Sequence, residues 1–232
     1  MSISAFQEEA LIEKIYIPEL ESHFKEVLAA KQVRALDFQL RLRDRNFPYY
    51  GTKPELKPQP SLMTHIDVTP DATKSIVQEL YGEAADQIMQ SRYQIITVWR
   101  PLRVPVKDWP LALCDASTVE SKDLVPSDVI YPNYLAENRL VHYNDNQRWY
   151  WLSDQAENEV LVFKAVDSDP KQCNRNFGKL KRVKACPHGA FPLPDQGEAQ
   201  SLRESIDVRL LVMYADMEYP EPESWSGSEI KV

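Results

Sequence analysis

The chain has 232 residues, 43% of them hydrophobic, with five tryptophans, which is enough for one generous domain with a substantial core. Its net charge of -8 argues against nucleic acid as a partner, and its three cysteines, without C-x-x-C spacing, indicate neither a disulfide framework nor a zinc site. Because we find neither a secretory signal nor an apolar run of membrane-spanning length, we expect a cytoplasmic protein with no membrane partner.

The first predicted elements are helical. Residues 5–31 show helical spacing, interrupted at Pro18, which suits the first turn of a second helix. Apolar and polar residues alternate over 36–43 and predict a half-buried strand. Residues 47–60 are rich in proline and predict a loop. We therefore expect a single domain with three parts, which are a helical extension (1–31), a β core (36–214) and a loose tail (219–232).

The strand expected after this loop carries Thr64-His65-Ile66-Asp67. Side chains two residues apart on a strand project from the same face, so His65 and Asp67 would point an imidazole and a carboxylate at one spot. If His188 arrives from a neighbouring strand, the three form the two-histidine, one-carboxylate ligand set of non-haem Fe(II) oxygenases. An H-x-D triplet also occurs by chance, so the triplet alone leaves the metal site open.

A helix is predicted to begin at the N-cap Thr69, with Pro70 in its first turn and an apolar stripe that packs in the core. The rest of the chain reads as short strands near 93–99, 111–115, 139–143, 148–152, 159–166, 182–188 and 205–214. Many strands with a few flanking helices predict a mainly β fold of the jelly-roll or cupin type, a double-stranded β-helix.

Three tryptophans and one arginine in these strands are candidates for lining a pocket. Trp99 and Arg100 are adjacent, so both could face one pocket only if the strand ends at Pro101. Arg100 would then contact a substrate or cosubstrate; otherwise it forms an ion pair at the strand end. Trp149 and Trp151 share a face and would suit an apolar organic substrate, although an ordinary sandwich core explains them equally well.

The last predicted strand offers a receptor for a carboxylate. Its apolar residues alternate with Arg203, Ser205, Asp207 and Arg209, which share the other face. An arginine fork binds a carboxylate with two hydrogen bonds and a nearby serine adds a donor, as the distal carboxylate of 2-oxoglutarate requires. By itself the pattern fits an ordinary strand whose charged residues face solvent. Together with the histidines it favours a site for 2-oxoglutarate at Arg203 and Ser205. Arg209 or Arg100 could be the receptor instead.

A basic run over residues 179–184 allows two interpretations. It could guide an acidic substrate or a partner surface toward the site. A solvated hairpin is the favoured interpretation, because such runs are commonly just exposed.

These motifs resemble the fungal and bacterial hydroxylase/desaturase family that includes the aspergillic-acid-pathway hydroxylase, the gibberellin desaturases and the P8 chain of cephamycin 7α-methoxylase. The similarity runs in order from about residue 60 to 214, through HID at 65–67, YQIITVWRP at 93–101, PLALCD at 110–115, DLVP at 123–126, RWYW at 148–151, FKAVDS at 163–168, HGAF at 188–191 and RESIDVR at 203–209. Thr97 departs from the family pattern, in which asparagine is more frequent.

The resemblance implies an Fe(II)/2-oxoglutarate-dependent oxygenase. His65, Asp67 and His188 would be the iron ligands, and Arg203 with Ser205 would match the R-x-S pair of the wider superfamily. The implied reaction uses O2, converts 2-oxoglutarate to succinate, and hydroxylates or desaturates a small secondary metabolite. The sequence leaves open which of these outcomes applies, and whether the chain forms a homo- or heterodimer.

Two alternatives follow from the same residues. The chain could be a non-catalytic or auxiliary subunit, since the methoxylase pairs its P8 chain with a second protein; a degenerate subunit would have lost a ligand, however, and all three are present. It could also be a cupin-type isomerase or zinc hydrolase that uses the same ligands without oxygen. A keto-acid receptor at Arg203 and Ser205 would have no purpose in such an enzyme.

Overall fold

A computed structural model describes residues 1–48, 57–131, 134–169, 185–193 and 201–223. Two antiparallel sheets pack face to face. The four-stranded sheet has the order β1-β10-β3-β8, where the strands are β1 (Gln32–Leu42), β10 (Glu204–Met213), β3 (Tyr93–Pro101) and β8 (Leu161–Asp167). The six-stranded sheet has the order β5-β6-β2-β9-β4-β7, where the strands are β5 (Leu124–Ile130), β6 (Leu135–Val141), β2 (His65–Ile66), β9 (His188–Ala190), β4 (Leu111–Cys114) and β7 (Trp149–Tyr150). The predicted double-stranded β-helix is confirmed.

The N-terminal helices cover the outer face of the four-stranded sheet. They comprise a 3-10 turn (Ile3–Gln7), α1 (Glu9–Leu11), a π-helical turn (Ile12–Tyr16) and α2 (Ile17–Val27), with Pro18 in the first turn of α2 as expected. Phe6, Ile12 and Phe24 pack there against alternate residues of β10, among them Val208 and Leu210. This contact buries the apolar face that the alternation in β10 predicts.

The helix predicted at Thr69 is present but shorter than its apolar stripe. α3 (Pro70–Tyr81) begins where the Thr69 hydroxyl accepts a hydrogen bond of 3.0 Å from the backbone N–H of Ala72. Gly82 interrupts the helix with a positive φ of 48°, and α4 (Ala85–Gln90) continues after a 3-10 turn. Both helices contribute to one core cluster with β3 and β10, so the stripe packs in the core as predicted.

β1 and β6 begin four residues earlier than the sequence predicts, and three further strands differ from the expectation. β5 was not expected, because its residues alternate between exposed and half-buried without a strongly apolar face. β7 ends at Tyr150, so Trp151 lies beyond the strand. The strand expected over 182–188 begins at His188 among the described residues.

Several predictions concern segments outside the described residues. These are the basic run over 179–184, the central part of the proline-rich loop (49–56) and most of the C-terminal tail (224–232). Within the part of the chain that is described, each helix is too short or too polar to cross a membrane.

Candidate active site

Two histidines and an aspartate converge between the sheets. β2 lies between β6 and β9, and His65 pairs directly across the β2–β9 ladder with His188, so that their ring centroids are 4.5 Å apart. Asp67 follows β2 on the same side, and its Oδ1 lies 3.4 Å from Nε2 of His65 and 3.3 Å from Nε2 of His188. One ligand atom from each side chain lies within 4.8 Å of the other two, as ligands of one metal ion must.

Backbone carbonyls orient both imidazoles toward this point. Nδ1 of His65 lies 2.8 Å from the carbonyl oxygen of Met63, and Nδ1 of His188 lies 3.3 Å from that of Cys186. An Nδ1–H that donates to a carbonyl leaves Nε2 unprotonated in the neutral ring, which is the form that binds metals. The donor set therefore fits a divalent metal ion in position and in tautomer.

The charges in the cluster favour the carboxylate ion at Asp67. Burial would raise the pKa of Asp67, but the charges and hydrogen bonds of His188 and His65 lower that pKa well below its usual value. For His65 burial acts in the other direction and would lower the pKa. The hydrogen bond and the charge of Asp67 outweigh the effect of burial, so the pKa of His65 is raised. A cation is thus stabilised at this spot, whether it is a proton on an imidazole or a metal ion.

Thr97 fixes the second oxygen of the carboxylate. It lies on β3 in the opposite sheet, is 2% exposed, and its hydroxyl donates a hydrogen bond of 2.6 Å to Oδ2 of Asp67. Because Oδ2 is occupied in this way, Oδ1 is the oxygen that faces the histidines. The sequence marked Thr97 only as a departure from the family; its place two residues before Trp99 on the same strand face was the signal for an inward position.

Arg203 is a buried cation that lines the same cleft as His65, Asp67 and His188. Its residue is 4% exposed, its Nε donates to Oγ of Ser205 at 3.2 Å, and its Nη1 donates to the carbonyl of Trp109 at 2.8 Å. Among the described residues no carboxylate forms an ion pair with its guanidinium, since Asp108 bonds to the backbone N–H of Arg203 and to Arg43 instead. Burial and the positive charge of Arg41 lower the pKa of Arg203 to about 9, and the carboxylates of Asp207 and Asp108 offset this lowering only in part.

One narrow cleft joins the two groups. Its lining includes His65, Asp67, His188, Trp99 and Arg203. Its volume is about 20 Å³, which is room for one or two water molecules.

The structure places the other candidate residues elsewhere. β3 continues through Pro101, so Arg100 faces away from Trp99 and lies over the ring of Phe6, with 5.1 Å from its guanidinium carbon to the ring centroid. Trp151 is 49% exposed and packs on Phe191, and Trp149 lies on the edge strand β7. Arg209 forms a two-bonded ion pair with Asp37. Five of the predicted site residues line the cleft: His65, Asp67, Trp99, His188 and Arg203. Ser205 is fully buried behind it and accepts a hydrogen bond from Nε of Arg203.

Comparison with known proteins supplies a family. A family model described as "YDMC: Oxidoreductase/YMDC permease-like domain" matches residues 1–213. The chain is 32% identical to "Fe(II)/2-oxoglutarate-dependent dioxygenase nvfI" of Aspergillus novofumigatus over 88% of this chain and 68% of that protein. It is 34% identical to "Hydroxylase/desaturase efuI" of Hormonema carpetanum over 68% of this chain and 54% of that protein.

Two further matches extend the comparison. "Alpha-ketoglutarate-dependent dioxygenase tstK" of Talaromyces stipitatus is 31% identical over 92% of this chain and 74% of that protein. The solved structure of "iron and alpha-ketoglutarate-dependent endoperoxidase NvfI" superimposes with a TM-score of 0.78 at 29% identity, covering 92% of this chain and 74% of that chain. The chain thus spans about half to three quarters of the length of the proteins it matches.

Proposed function

Because this chain belongs to the matched oxidoreductase family, that of the Fe(II)/2-oxoglutarate-dependent oxygenases, we propose that His65, Asp67 and His188 hold its iron and that Arg203 and Ser205 bind its 2-oxoglutarate. One observation carries this proposal. A cluster of three possible metal ligands and a buried guanidinium face the same cleft, and no carboxylate in the described part of the chain pairs with that guanidinium. The first needs a divalent cation, and the second needs an anion.

The ligand set suits iron. Two imidazole nitrogens and one carboxylate oxygen on one side leave the remaining positions of an octahedral ion open for a cosubstrate and oxygen. Bound there, the metal would supply the activation of oxygen, with oxidative decarboxylation of 2-oxoglutarate to succinate and CO2, a chemistry that no amino-acid side chain provides. The carbonyls of Met63 and Cys186 hold the two imidazoles, and Thr97 holds the carboxylate, in the orientation that such binding requires.

Arg203 supports the choice of cosubstrate. A buried charge that has no counter-charge lowers the stability of a folded protein by roughly several kcal/mol, so buried charges are normally paired. A carboxylate that accepts from the guanidinium, together with Ser205, would supply the missing charge. The aromatic rings of Trp99 and Phe163, with the side chain of Leu111, line the same cleft and exclude water from around these groups. A keto acid whose other end carries the metal-chelating group fits this pairing.

For the substrate we propose a small organic metabolite that is hydroxylated or desaturated. This proposal is supported by the similarity to relatives such as "Hydroxylase/desaturase efuI" and "Aspirochlorine biosynthesis protein N" of Aspergillus oryzae. Because the chain spans only part of those proteins, their own reactions are not assigned to it. The auxiliary-subunit alternative is disfavoured by the complete ligand cluster, which a subunit without chemistry would not need.

The test is metal and cosubstrate turnover in matched histidine variants. The protein is purified without oxygen, loaded with Fe(II) and supplied with 2-oxoglutarate and oxygen, and bound iron and succinate are measured. His188→Ala should lose both, whereas His142→Ala, a control at an exposed histidine, should keep both. Iron binding and succinate formation by His188→Ala at the level of the parent would overturn the assignment. Iron binding without succinate in the parent, over a broad panel of small metabolites, would favour the auxiliary subunit instead.

A further inference from the structure

A second cavity opens beside the metal-ligand cluster, and Arg203 is not part of its lining. It has a volume of about 150 Å³ and shares Arg41, His65, Asp67 and Asp207 with the narrow cleft. β1 and β10 form one wall and the β5–β6 hairpin forms the other, with Tyr131 and Tyr134 among the lining residues. A cavity of roughly this size accommodates a benzene ring. It is large enough for the reacting end of an organic molecule held next to the metal.

The charged residues of this cavity neutralise each other. Nε of Arg41 donates to Oδ2 of Asp207 at 2.8 Å, and Nε of Arg209 donates to Oδ1 of Asp37 at 2.7 Å. The pairs are partly buried, with exposed side-chain fractions between 20% and 25%. Apart from the metal-ligand residues, no other charged side chain among the described residues lines the cavity. A charged ligand would therefore meet no free counter-charge and would have to break an existing ion pair.

Asn138 provides one unpaired polar group in this wall. Its neighbour Leu140 pairs with His65 across the β6–β2 ladder, and residues two apart share a face, so Asn138 faces the same side of the sheet as His65. Its Oδ1 is buried, and no described residue donates a hydrogen bond to it. A buried acceptor without a partner costs free energy, so such groups in folded proteins usually meet a water molecule or a ligand.

We propose that this cavity is the substrate site and selects an uncharged molecule that donates a hydrogen bond, through a hydroxyl or an N–H group, to Asn138. The proposal rests on the proposed function, because the metal-ligand cluster defines which part of the ligand would react. Its two parts come from separate observations. The paired charges exclude carboxylates and amines, and the unpaired oxygen requires a donor. Asn138 is then a specificity-determining residue.

The test uses benzene-sized probes and Mn(II) in place of Fe(II). With Mn(II) bound and 2-oxoglutarate saturating, so that no probe occupies the cosubstrate side, the relaxation of probe protons by the metal gives each dissociation constant. The probes are benzyl alcohol, its nearly isosteric hydrocarbon ethylbenzene, benzoate and benzylammonium. Benzyl alcohol should bind at least about tenfold more tightly than either ion, because each ion would bring an unpaired charge beside the neutral wall.

Two leucine variants separate recognition from folding. Asn138→Leu should weaken benzyl alcohol about 2- to 12-fold, leave ethylbenzene unchanged or tighter, and leave the unfolding midpoint unchanged or raised, because it removes an unpaired acceptor. The matched control is Asn144→Leu, where the amide donates to Asp123 at 3.1 Å and accepts from the N–H of Asn146 at 3.0 Å. That control should lower the unfolding midpoint and leave the binding of every probe unchanged.

The outcomes separate this proposal from the assignment of the metal site. If Asn138→Leu destabilises the protein as Asn144→Leu does while benzyl alcohol binds as before, Asn138 is structural and the proposal is wrong. Equal binding of benzoate, benzylammonium and benzyl alcohol overturns it as well. In both cases Mn(II) binding that is lost in His188→Ala would leave the proposed function standing. Failure of the parent protein to bind Mn(II) would refute the proposed function and this inference together.

Discussion

Replacing Thr97 with valine tests how the ligand carboxylate is positioned. The change keeps the shape of a buried side chain and removes the hydroxyl that donates to Oδ2 of Asp67 at 2.6 Å. Hydrogen bonds to charged groups are worth about 1.5–3 kcal/mol. Loss of an orienting partner of a metal ligand costs about 10- to 100-fold in affinity, which corresponds to about 1.4–2.8 kcal/mol. Because the two ranges agree, we expect Thr97→Val to bind Mn(II) about 10- to 100-fold more weakly.

The assay combines affinity with a spectrum of the bound metal. Free Mn(II) is counted by electron paramagnetic resonance during titration, and the visible absorption of the Co(II) form reports the ligand geometry. Thr97→Ser keeps the hydroxyl and should restore both readouts. Thr118→Val is the matched control, because Thr118 is also buried and donates to the carbonyl of Asp115 at 2.6 Å, away from the site. It should lower stability and leave metal affinity unchanged.

Two results would refute this reasoning. Parental Mn(II) affinity and an unchanged Co(II) spectrum in Thr97→Val would mean that the threonine does not position Asp67. A loss in Thr97→Ser as large as in Thr97→Val would mean that the methyl group, not the hydroxyl, matters at this position.

The remaining predictions concern the cosubstrate, a buried carboxylate and a helix cap. Arg203→Lys keeps the charge but loses the fork, so 2-oxoglutarate affinity should fall about 10- to 100-fold at unchanged Mn(II) affinity; unchanged titration of 2-oxoglutarate would contradict this. Burial would raise the pKa of Asp167, but hydrogen bonds from Arg92 and Lys164 lower it to about 2. A depressed pKa stabilises the fold above the unfolded value near 3.9 and less as the pH falls toward 2, so Asp167→Asn should cost about 2 kcal/mol in urea unfolding at neutral pH and almost nothing near pH 2. Thr69→Ala should lower the unfolding free energy by about 1 kcal/mol, and no loss would exclude Thr69 as a stabilising cap.

Local patterns were enough to predict part of this structure. The alternation in β10 assigns one face to the core, and the H-x-D spacing places His65 and Asp67 on one side of a strand, because both follow from the two-residue period of strands. The alternative in which Arg203 and Ser205 face solvent is wrong, because the strand face that they share lies between the sheets and both residues are buried. The same alternation fits either location, so the pattern alone could not choose between them.

Other features depend on contacts between distant segments. Arg100 was a candidate only if β3 ended at Pro101, and the strand instead continues through that residue because Pro101 lies opposite Ser205 on β10. Oδ1 of Asn138 accepts no hydrogen bond from the residues that the structure describes, and this depends on the distant segments that surround it, which no local spacing encodes. The prediction that Trp149 and Trp151 share a strand face is wrong, because β7 is only two residues long and ends before Trp151.

The proposed site depends on both sheets together. His65 and His188 lie in the six-stranded sheet and Asp67 directly follows its strand β2, whereas Thr97 lies in the four-stranded sheet and Arg203 directly precedes its strand β10. The hydrogen bond from Thr97 to Asp67 crosses between them, and Phe163 packs against the ring of His188 with 4.5 Å between centroids. The distance between the sheets, about 10 Å in such packings, therefore sets the distance from the His65, Asp67 and His188 cluster to Arg203. The buried side chains between the sheets fix that spacing. A change in core packing at Phe163 should therefore also change the geometry of cosubstrate binding.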